Sequence, residues 1–299
     1  MTLPVSGAIS LGDVNVELQR SATATISMDD AELRTLFAVP SGAIGLATGY
    51  GKANKFAISI TSNQTNLDLY SWLVSQGWNE SSKVEVTINA GVWLSSNSTS
   101  IAGLRISGTY PNGLFITNNG YIVGMGGKGG NASGGAGSVG GVGLTTSSAC
   151  TITNNGTIAG GGGGGGAGGH SAIYVNYREG RSEGGGGGGG RSGLTNSAGG
   201  TSNGGAGTSS AAGGGGTGGQ FVYFDTAYGQ YKGTCIAGNG GAGGNWGASG
   251  ASGGGGYWVG NYPANSFGGG GGGAAGGAAV TGNSNITWVT TGTRYGSVS

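Results

Sequence analysis

The chain has 299 residues, 78 of them glycine, with 12 basic and 11 acidic side chains and a formal net charge of +1. This length suggests two domains, and so sparse a charge gives no electrostatic case for nucleic acid or an anionic membrane as partner. No apolar stretch approaches the roughly 20 residues that span a bilayer, and Met1-Thr2-Leu3-Pro4 has neither the basic nor the apolar region of a secretory signal, so synthesis in a cytoplasm is expected.

Residues 1–120 hold 12 of the glycines and read as an α+β region, mostly β. Ala8-Ile9-Ser10-Leu11, Thr25-Ile26-Ser27-Met28 and Ala43-Ile44-Gly45-Leu46 recur at near-equal intervals, a pattern of equivalent strands or docking segments. Between them a short helix is expected over Met28–Phe37, capped by Asp29. Phe56–Ile60 alternates as a strand, and Asn66–Gly77 reads as one amphipathic helix with Asn66 as cap, Gly77 as stop, and Leu69, Trp72 and Leu73 facing a core. Val84–Asn89, Leu104–Gly108 and Leu114–Thr117 alternate again. Composition divides the chain into an N-terminal segment 1–52, a small α+β domain 53–120, and a glycine-rich domain 121–299.

Ile116-Thr117-Asn118-Asn119-Gly120-Tyr121-Ile122-Val123-Gly124 recurs as Ile152-Thr153-Asn154-Asn155-Gly156-Thr157-Ile158-Ala159-Gly160, each copy leading into a glycine tract. Asn-Asn-Gly suits a tight turn with positive φ, so each copy is expected to be strand, turn and second strand. Ile286-Thr287-Trp288 is a candidate third copy. Cys150 and Cys235 show no metal-ligand spacing and read as fillers of small apolar sites rather than a bridge.

Beyond residue 120 lie the other 66 glycines, with uninterrupted runs at Gly160–Gly166 and Gly184–Gly190 and shorter ones at Gly213–Gly216, Gly253–Gly256 and Gly268–Gly273. Such a segment has almost nothing apolar to bury. Ordering a glycine costs about 0.5–1 kcal/mol more than ordering an alanine, and a hydrogen bond returns about 1 kcal/mol net. Order therefore requires nearly every backbone N–H and C=O to find a partner. Packed polyglycine-II helices can supply that, since all their backbone groups point at neighbours. Four prolines and pure glycine runs exclude collagen. Aromatic segments between the runs, and the strand-like Asn285–Val289 after them, favour order over a flexible linker. At about 3.1 Å per residue a seven-glycine run crosses about 20 Å, which puts the aromatic segments as loops at the two ends of a slab.

Glycine runs alternating with aromatic loops, the repeated Asn-Asn-Gly, the ending Trp288–Gly296, and Ser6–Leu11 with Tyr50-Gly51-Lys52 resemble the tail-fibre adhesins of T-even-like bacteriophages. That resemblance implies a layered polyglycine sandwich in the virion tail that recognises a host bacterial surface receptor, an outer-membrane protein or lipopolysaccharide. It also implies contact with other phage tail proteins through the N-terminal half, with a homotrimer as one assembly open to it.

Chemistry points the same way. The carboxylates after residue 120 are Glu179, Glu183 and Asp225, and the first two sit between or beside Arg178 and Arg181 as a solvated loop rather than a glycosidase pair. The single histidine, His170, supports neither a zinc site nor a triad. A binding protein without cofactor or metal is expected, not an enzyme. Candidate receptor-binding residues fall in three clusters: Tyr174, Tyr177, Arg178 and Arg181; Phe221, Tyr223, Phe224, Tyr228 and Tyr231; and Tyr257, Trp258, Tyr262 and Phe267. Aromatic rings and arginine dominate binding hot spots, and about half of these rings are expected to cover the glycine slab instead. The alternative is a purely structural virion component; bulky loops argue against a flat ice-binding face.

Overall fold

A computed structural model describes residues 3–18, 20–52, 54–175, 178–225, 230–260 and 266–299. The described chain is mostly β, with three short α-helices.

Residues 3–52 form a small helical unit with a core of its own, built from Leu3, Ile9, Val14, Leu18, Leu33, Leu36 and Phe37. The three recurring segments are not strands. Each leads into a helical element: Ser10 caps Leu11–Glu17 in a reciprocal capping box with Asp13, and the other two precede Ala31–Phe37 and Leu46–Gly49. Their isoleucines, Ile9, Ile26 and Ile44, all pack on the one core, so the repeat is a repeat of docking positions. Asp29 is not the cap of the second helix; Asp30 holds that position, and Asp29 pairs instead with Arg34.

From Lys55 the alternating segments wind into a three-sided parallel solenoid. The first face is made by Lys55–Ile60, Lys83–Ile88, Leu114–Asn118, Cys150–Asn154 and Ile286–Thr290, stacked in that order and all parallel. The second face stacks Gln64–Thr65, Trp93–Ser95, Tyr121–Val123, Thr157–Ala159 and Thr293–Tyr295. The third stacks Leu67–Asp68, Leu104–Ile106, Leu144–Thr146 and Val280–Thr281. Inward residues of every coil, among them Ile60, Val86, Leu94, Leu104, Ile116, Ile122, Leu144, Ile152, Ile158 and Val280, form one continuous core. Side chains of this size contribute about 1.5–3 kcal/mol each when fully buried.

The expected long helix is shorter. Asn66 and Leu67 belong to the first coil, with Asn66 at φ 54°, and the helix runs Leu69–Ser75 with Asp68 as cap, accepting from the Ser71 N–H at 3.0 Å. Leu69 and Leu73 are buried as expected, and Trp72 is partly so. Gly77 stops the helix with φ 94°.

The Asn-Asn-Gly repeats are corners between the first and second faces of successive coils, not hairpins. Neither Gly120 nor Gly156 has positive φ. Glycine is needed there because the coils touch: a Cβ on Gly120 would stand 2.3 Å from the Val92 carbonyl oxygen, and one on Gly156 2.2 Å from that of Gly120. The asparagines stack between coils, Asn118 Nδ2 donating to Asn154 Oδ1 at 2.8 Å and Asn155 Nδ2 to Asn119 Oδ1 at 3.0 Å. Asn154 Nδ2 in turn donates to the Thr291 carbonyl at 2.7 Å. The last coil is the third copy, but Ile152 pairs with Trp288 rather than Ile286.

The glycine-rich slab leaves this solenoid at a single corner, between its second and third faces. Residues 124–143 are inserted there in the third coil and 160–279 in the fourth. The compositional division at residue 120 thus falls inside the solenoid, which takes the chain back at 144–159 and 280–299.

Within the slab the run 161–169 is wholly buried and is neither α-helix nor β-strand. Its N–H groups donate in rotation to three other runs: Gly161, Gly164 and Ala167 to Gly141, Ser138 and Gly135; Gly162, Gly165 and Gly168 to Arg191, Gly188 and Gly185; Gly163, Gly166 and Gly169 to Ala248, Ala251 and Gly254. Its carbonyls accept from three further segments, with Gly277, Ala274 and Gly271 on one side, Gly244, Gly241 and Gly238 on another, and Gly127, Gly130 and Gly134 on the last. All these bonds measure 2.7–3.0 Å. Every backbone polar group of the run is satisfied by a neighbour, which is the condition that glycine order imposes.

Candidate functional site

Three pairs of β-strands carry the aromatic segments. Ser171–Val175 pairs antiparallel with Arg178–Ser182 and Gln220–Asp225 with Gln230–Ile236, whereas Tyr257–Gly260 and Ser266–Phe267 pair with Gln230–Ile236 and Ser171–Val175 rather than with each other. The expectation of loops at both ends of the slab is corrected: all three stand at one end. Runs 161–169 and 248–254 are parallel neighbours and each feeds an aromatic strand at its far end, while Gly219 N–H donates to Glu183 and Ala237 N–H to Gly219 at the base of the other hairpin. The opposite end sits on the solenoid, where Trp246 meets Trp93 at 6.0 Å between ring centroids and donates its indole N–H to Ser192 at 2.9 Å. Arg191 lies over the Trp246 ring at 3.6 Å and fixes that joint.

The segments are not irregular loops but two three-stranded sheets. One has Ser171–Val175 at its centre, between Arg178–Ser182 and Ser266–Phe267; the other has Gln230–Ile236 at its centre, between Gln220–Asp225 and Tyr257–Gly260. The third segment therefore places one strand in each sheet and straps them together. Ser171 Oγ donates to the Tyr257 carbonyl at 3.0 Å across the same seam.

Alternation sorts the candidate residues. In the second sheet Phe221, Cys235 and Trp258 are cross-strand partners on the face turned inward. Cys235 is fully buried with its sulfur 3.9 Å from the Gly180 carbonyl, and burial pushes its thiol pKa up. The Phe221 ring lies where a Cβ on Gly180 would come within 2.1 Å, and the Trp258 indole where one on Gly233 would come within 1.9 Å. These two rings cover glycine backbone. The Trp258 indole N–H is buried without an acceptor among the described residues. Phe221, Phe224, Tyr257 and Phe267 are exposed, and Tyr223 is half-buried.

In the first hairpin Tyr174 stands opposite Glu179 and Val175 opposite Arg178 in the backbone register, and Tyr231 pairs with Phe224 in the second. Tyr177, Tyr228 and Tyr262 lie outside the described residues. Arg181 Nε pairs with Glu183 Oε1 at 3.0 Å, and Ser133 Oγ donates to the same carboxylate, tying the 131–133 turn to the first hairpin.

The opposite face of the second sheet holds residues that the sequence reading missed. Val222 and Val259 flank Thr234 in one cross-strand row, and Gln220 and Tyr257 flank Ile236 in the next. Val222, Val259 and Tyr257 are 57, 51 and 53% exposed. Their signal in the sequence was the alternation Phe221-Val222-Tyr223 and Trp258-Val259-Gly260, in which a β-branched residue separates its neighbours by face. Among the described residues no group of three or more His, Cys, Asp or Glu side chains could hold a metal ion.

Residues 55–299 match the family model described as phage tail fibre adhesin Gp38. Among solved structures the chain is similar to the gp37-gp38 adhesin tip complex of the bacteriophage S16 long tail fibre, at 24% identity and a TM-score of 0.52, covering 99% of this chain and 100% of that one. That likeness is one of fold. No curated protein matches the chain.

Proposed function

The chain belongs to the phage tail fibre adhesin Gp38 family, and we propose that it grips its host receptor with the three aromatic segments while residues 3–52 hold it on the fibre. As a member it is a tail fibre adhesin of the virion that binds a host receptor rather than an enzyme. The observation that carries the assignment of the site is the gathering of all three aromatic segments at the end of the slab remote from the solenoid. A frame without side chains, held by its own backbone, lets such segments differ in sequence without loss of the fold beneath them. The receptor is an outer-membrane protein or lipopolysaccharide, met by Tyr174, Tyr177, Arg178, Arg181, Phe221, Tyr223, Phe224, Tyr228, Tyr231, Tyr257, Trp258, Tyr262 and Phe267 as a group; Phe221, Phe224, Tyr257 and Phe267 are its exposed members, and Trp258 supports them from below.

The slab's runs are polyglycine-II helices in this reading. Donors that rotate through three neighbours every three residues, with no bond inside a run, support it. The S16 structure is a complex of gp38 with gp37, and by that likeness the helical unit is the seat for the fibre protein. It has its own core, lies before the residues matched by the family model, and exposes Val5, Leu11 and Tyr50.

The test replaces Phe224, Tyr257 and Phe267 together by serine and measures adsorption to host cells, with thermal unfolding as the control for folding. A folded triple variant that adsorbs at least tenfold more weakly is the expected result. Adsorption equal to that of the parent would put receptor binding elsewhere on the chain.

A further inference from the structure

An asparagine followed by glycine is open to attack by its own backbone, because glycine has no Cβ to shield the nitrogen or restrict its rotation. The chain has five such pairs: Asn112-Gly113, Asn119-Gly120, Asn155-Gly156, Asn203-Gly204 and Asn239-Gly240. Four of them are held at both reacting groups. The Gly113 N–H donates to the Tyr110 carbonyl at 3.0 Å and that of Gly120 to Asn118 Oδ1 at 3.1 Å. The Gly156 N–H donates to the Asn118 carbonyl at 2.9 Å and that of Gly240 to the Gly216 carbonyl at 2.8 Å. The side chains are tied as well. Asn112 donates to the Ser81 carbonyl, Asn155 donates to Asn119, and Asn239 accepts from the Gly218 N–H.

Asn203-Gly204 differs at both groups. Among the described residues neither the Asn203 side chain nor the Gly204 N–H has a hydrogen-bond partner. Asn203 is exposed and closes the 201–203 turn, where Ser202 at φ 65° and Asn203 at φ 69° both take the left-handed conformation, a sparsely populated one for residues with a Cβ. The chain is anchored on either side of that peptide. Before it, the Ser202 carbonyl accepts from the Gly186 N–H at 2.8 Å and Thr201 Oγ1 from the Ala132 N–H at 3.1 Å. After it, the Gly205 N–H donates to the Gly214 carbonyl at 2.8 Å.

We propose that Asn203 is a site of spontaneous covalent modification, converted through a succinimide to aspartate or isoaspartate. The Gly204 amide gives its proton to a solvent base, and its nitrogen bonds to Asn203 Cγ. The bond from Cγ to the side-chain nitrogen breaks, and that nitrogen takes up a proton and leaves as ammonia. Water then opens the five-membered imide at either carbonyl. Nothing is oxidised or reduced, and solvent is the one co-reactant. The 203–204 peptide must rotate to bring nitrogen to Cγ, and here no bond resists it. Each of the other four pairs must first surrender a backbone hydrogen bond. The single added negative charge cancels the formal net charge of +1, so virions kept in water gather adhesin of altered charge at this turn.

The test incubates the whole folded protein in mildly alkaline buffer and maps its peptides by mass over time, reading the exchange of NH2 for OH at each of the five asparagines. Thermal unfolding confirms that the sample stays folded, and a parallel sample is kept unfolded in urea. In the folded protein Asn203 should convert at least tenfold faster than any of the other four, whereas in urea all five should convert within a few-fold of one another. Asn203→Gly, which keeps a positive φ without strain, should remove the fast change in net charge. Similar rates at all five sites in the folded protein, or a faster rate at any of the other four, would overturn the proposal. So would an Asn203 that stays intact in the folded protein, or a fast change in charge that persists in Asn203→Gly.

Discussion

The solenoid and the slab solve one problem with opposite materials. In the solenoid, inward Ile, Leu and Val side chains stack coil upon coil, and the backbone bonds run along flat parallel faces. In the slab the core is the backbone itself. The run 161–169 is as buried as Ile116 or Ile152 without a side chain larger than the methyl of Ala167. The two meet without a break, since Val123 pairs with Ala159 in the solenoid and the next N–H, that of Gly124, donates to the Ala159 carbonyl. Gly127 and Gly130 then continue the same ladder to Gly162 and Gly165. The solenoid thereby sets the register of the slab. A side-chain core tolerates loss of volume at a graded cost, whereas a backbone core cannot accept even one added carbon where its runs touch.

The largest expected effect follows from that contrast. A Cβ on Gly165 would stand 2.1 Å from the Gly241 carbonyl oxygen, so Gly165→Ala forces two backbones apart. Loss of more than about 4 kcal/mol, seen as failure to yield folded protein in thermal unfolding, is expected. Ile116→Ala removes volume from the solenoid core and should cost about 2–5 kcal/mol, leaving a folded protein with a lower Tm. Asn154→Ala takes the acceptor from buried Asn118 and the donor from the Thr291 carbonyl. Its cost should be about 1–3 kcal/mol, again read from Tm. The smallest effect has the opposite sign. Nothing lies within 4 Å of a Cβ on Gly272, and its φ is not positive. Gly272→Ala should therefore stabilise by about 0.5–1 kcal/mol through the unfolded chain. Equal damage from Gly165→Ala and Gly272→Ala would erase the distinction between interior and outer runs.

Much of this was legible from residue order alone. Pure glycine runs could be ordered only as mutually bonded backbones, and the Asn-Asn-Gly repeat did mark equivalent positions. The parallel winding was not legible. A strand such as Val84–Asn89 alternates identically in an α+β domain and in a solenoid, because period two reports one buried face and not the direction of the neighbour. The insertion of residues 160–279 within one coil also hides the solenoid's period, separating Cys150 from its partner Ile286. Asn-Asn-Gly suggested positive φ, whereas its glycine answers a close approach between coils that only the stacked structure reveals. At the distal end the aromatics were found and their sidedness was not. Trp258 and Tyr257 are adjacent in sequence, yet one covers Gly233 and the other faces solvent, since cross-strand register decides which.

Native-state hydrogen exchange across the whole chain tests the claim that a core can be made of backbone alone. Amides of 161–169 are each bonded to a neighbouring run, as those of Val84–Ile88 are bonded to neighbouring strands. Both sets should exchange slowly and with similar protection, opening only with the global unfolding of the molecule. Exchange of the glycine run at the rate of an unstructured peptide, while the solenoid stays protected, would contradict the account.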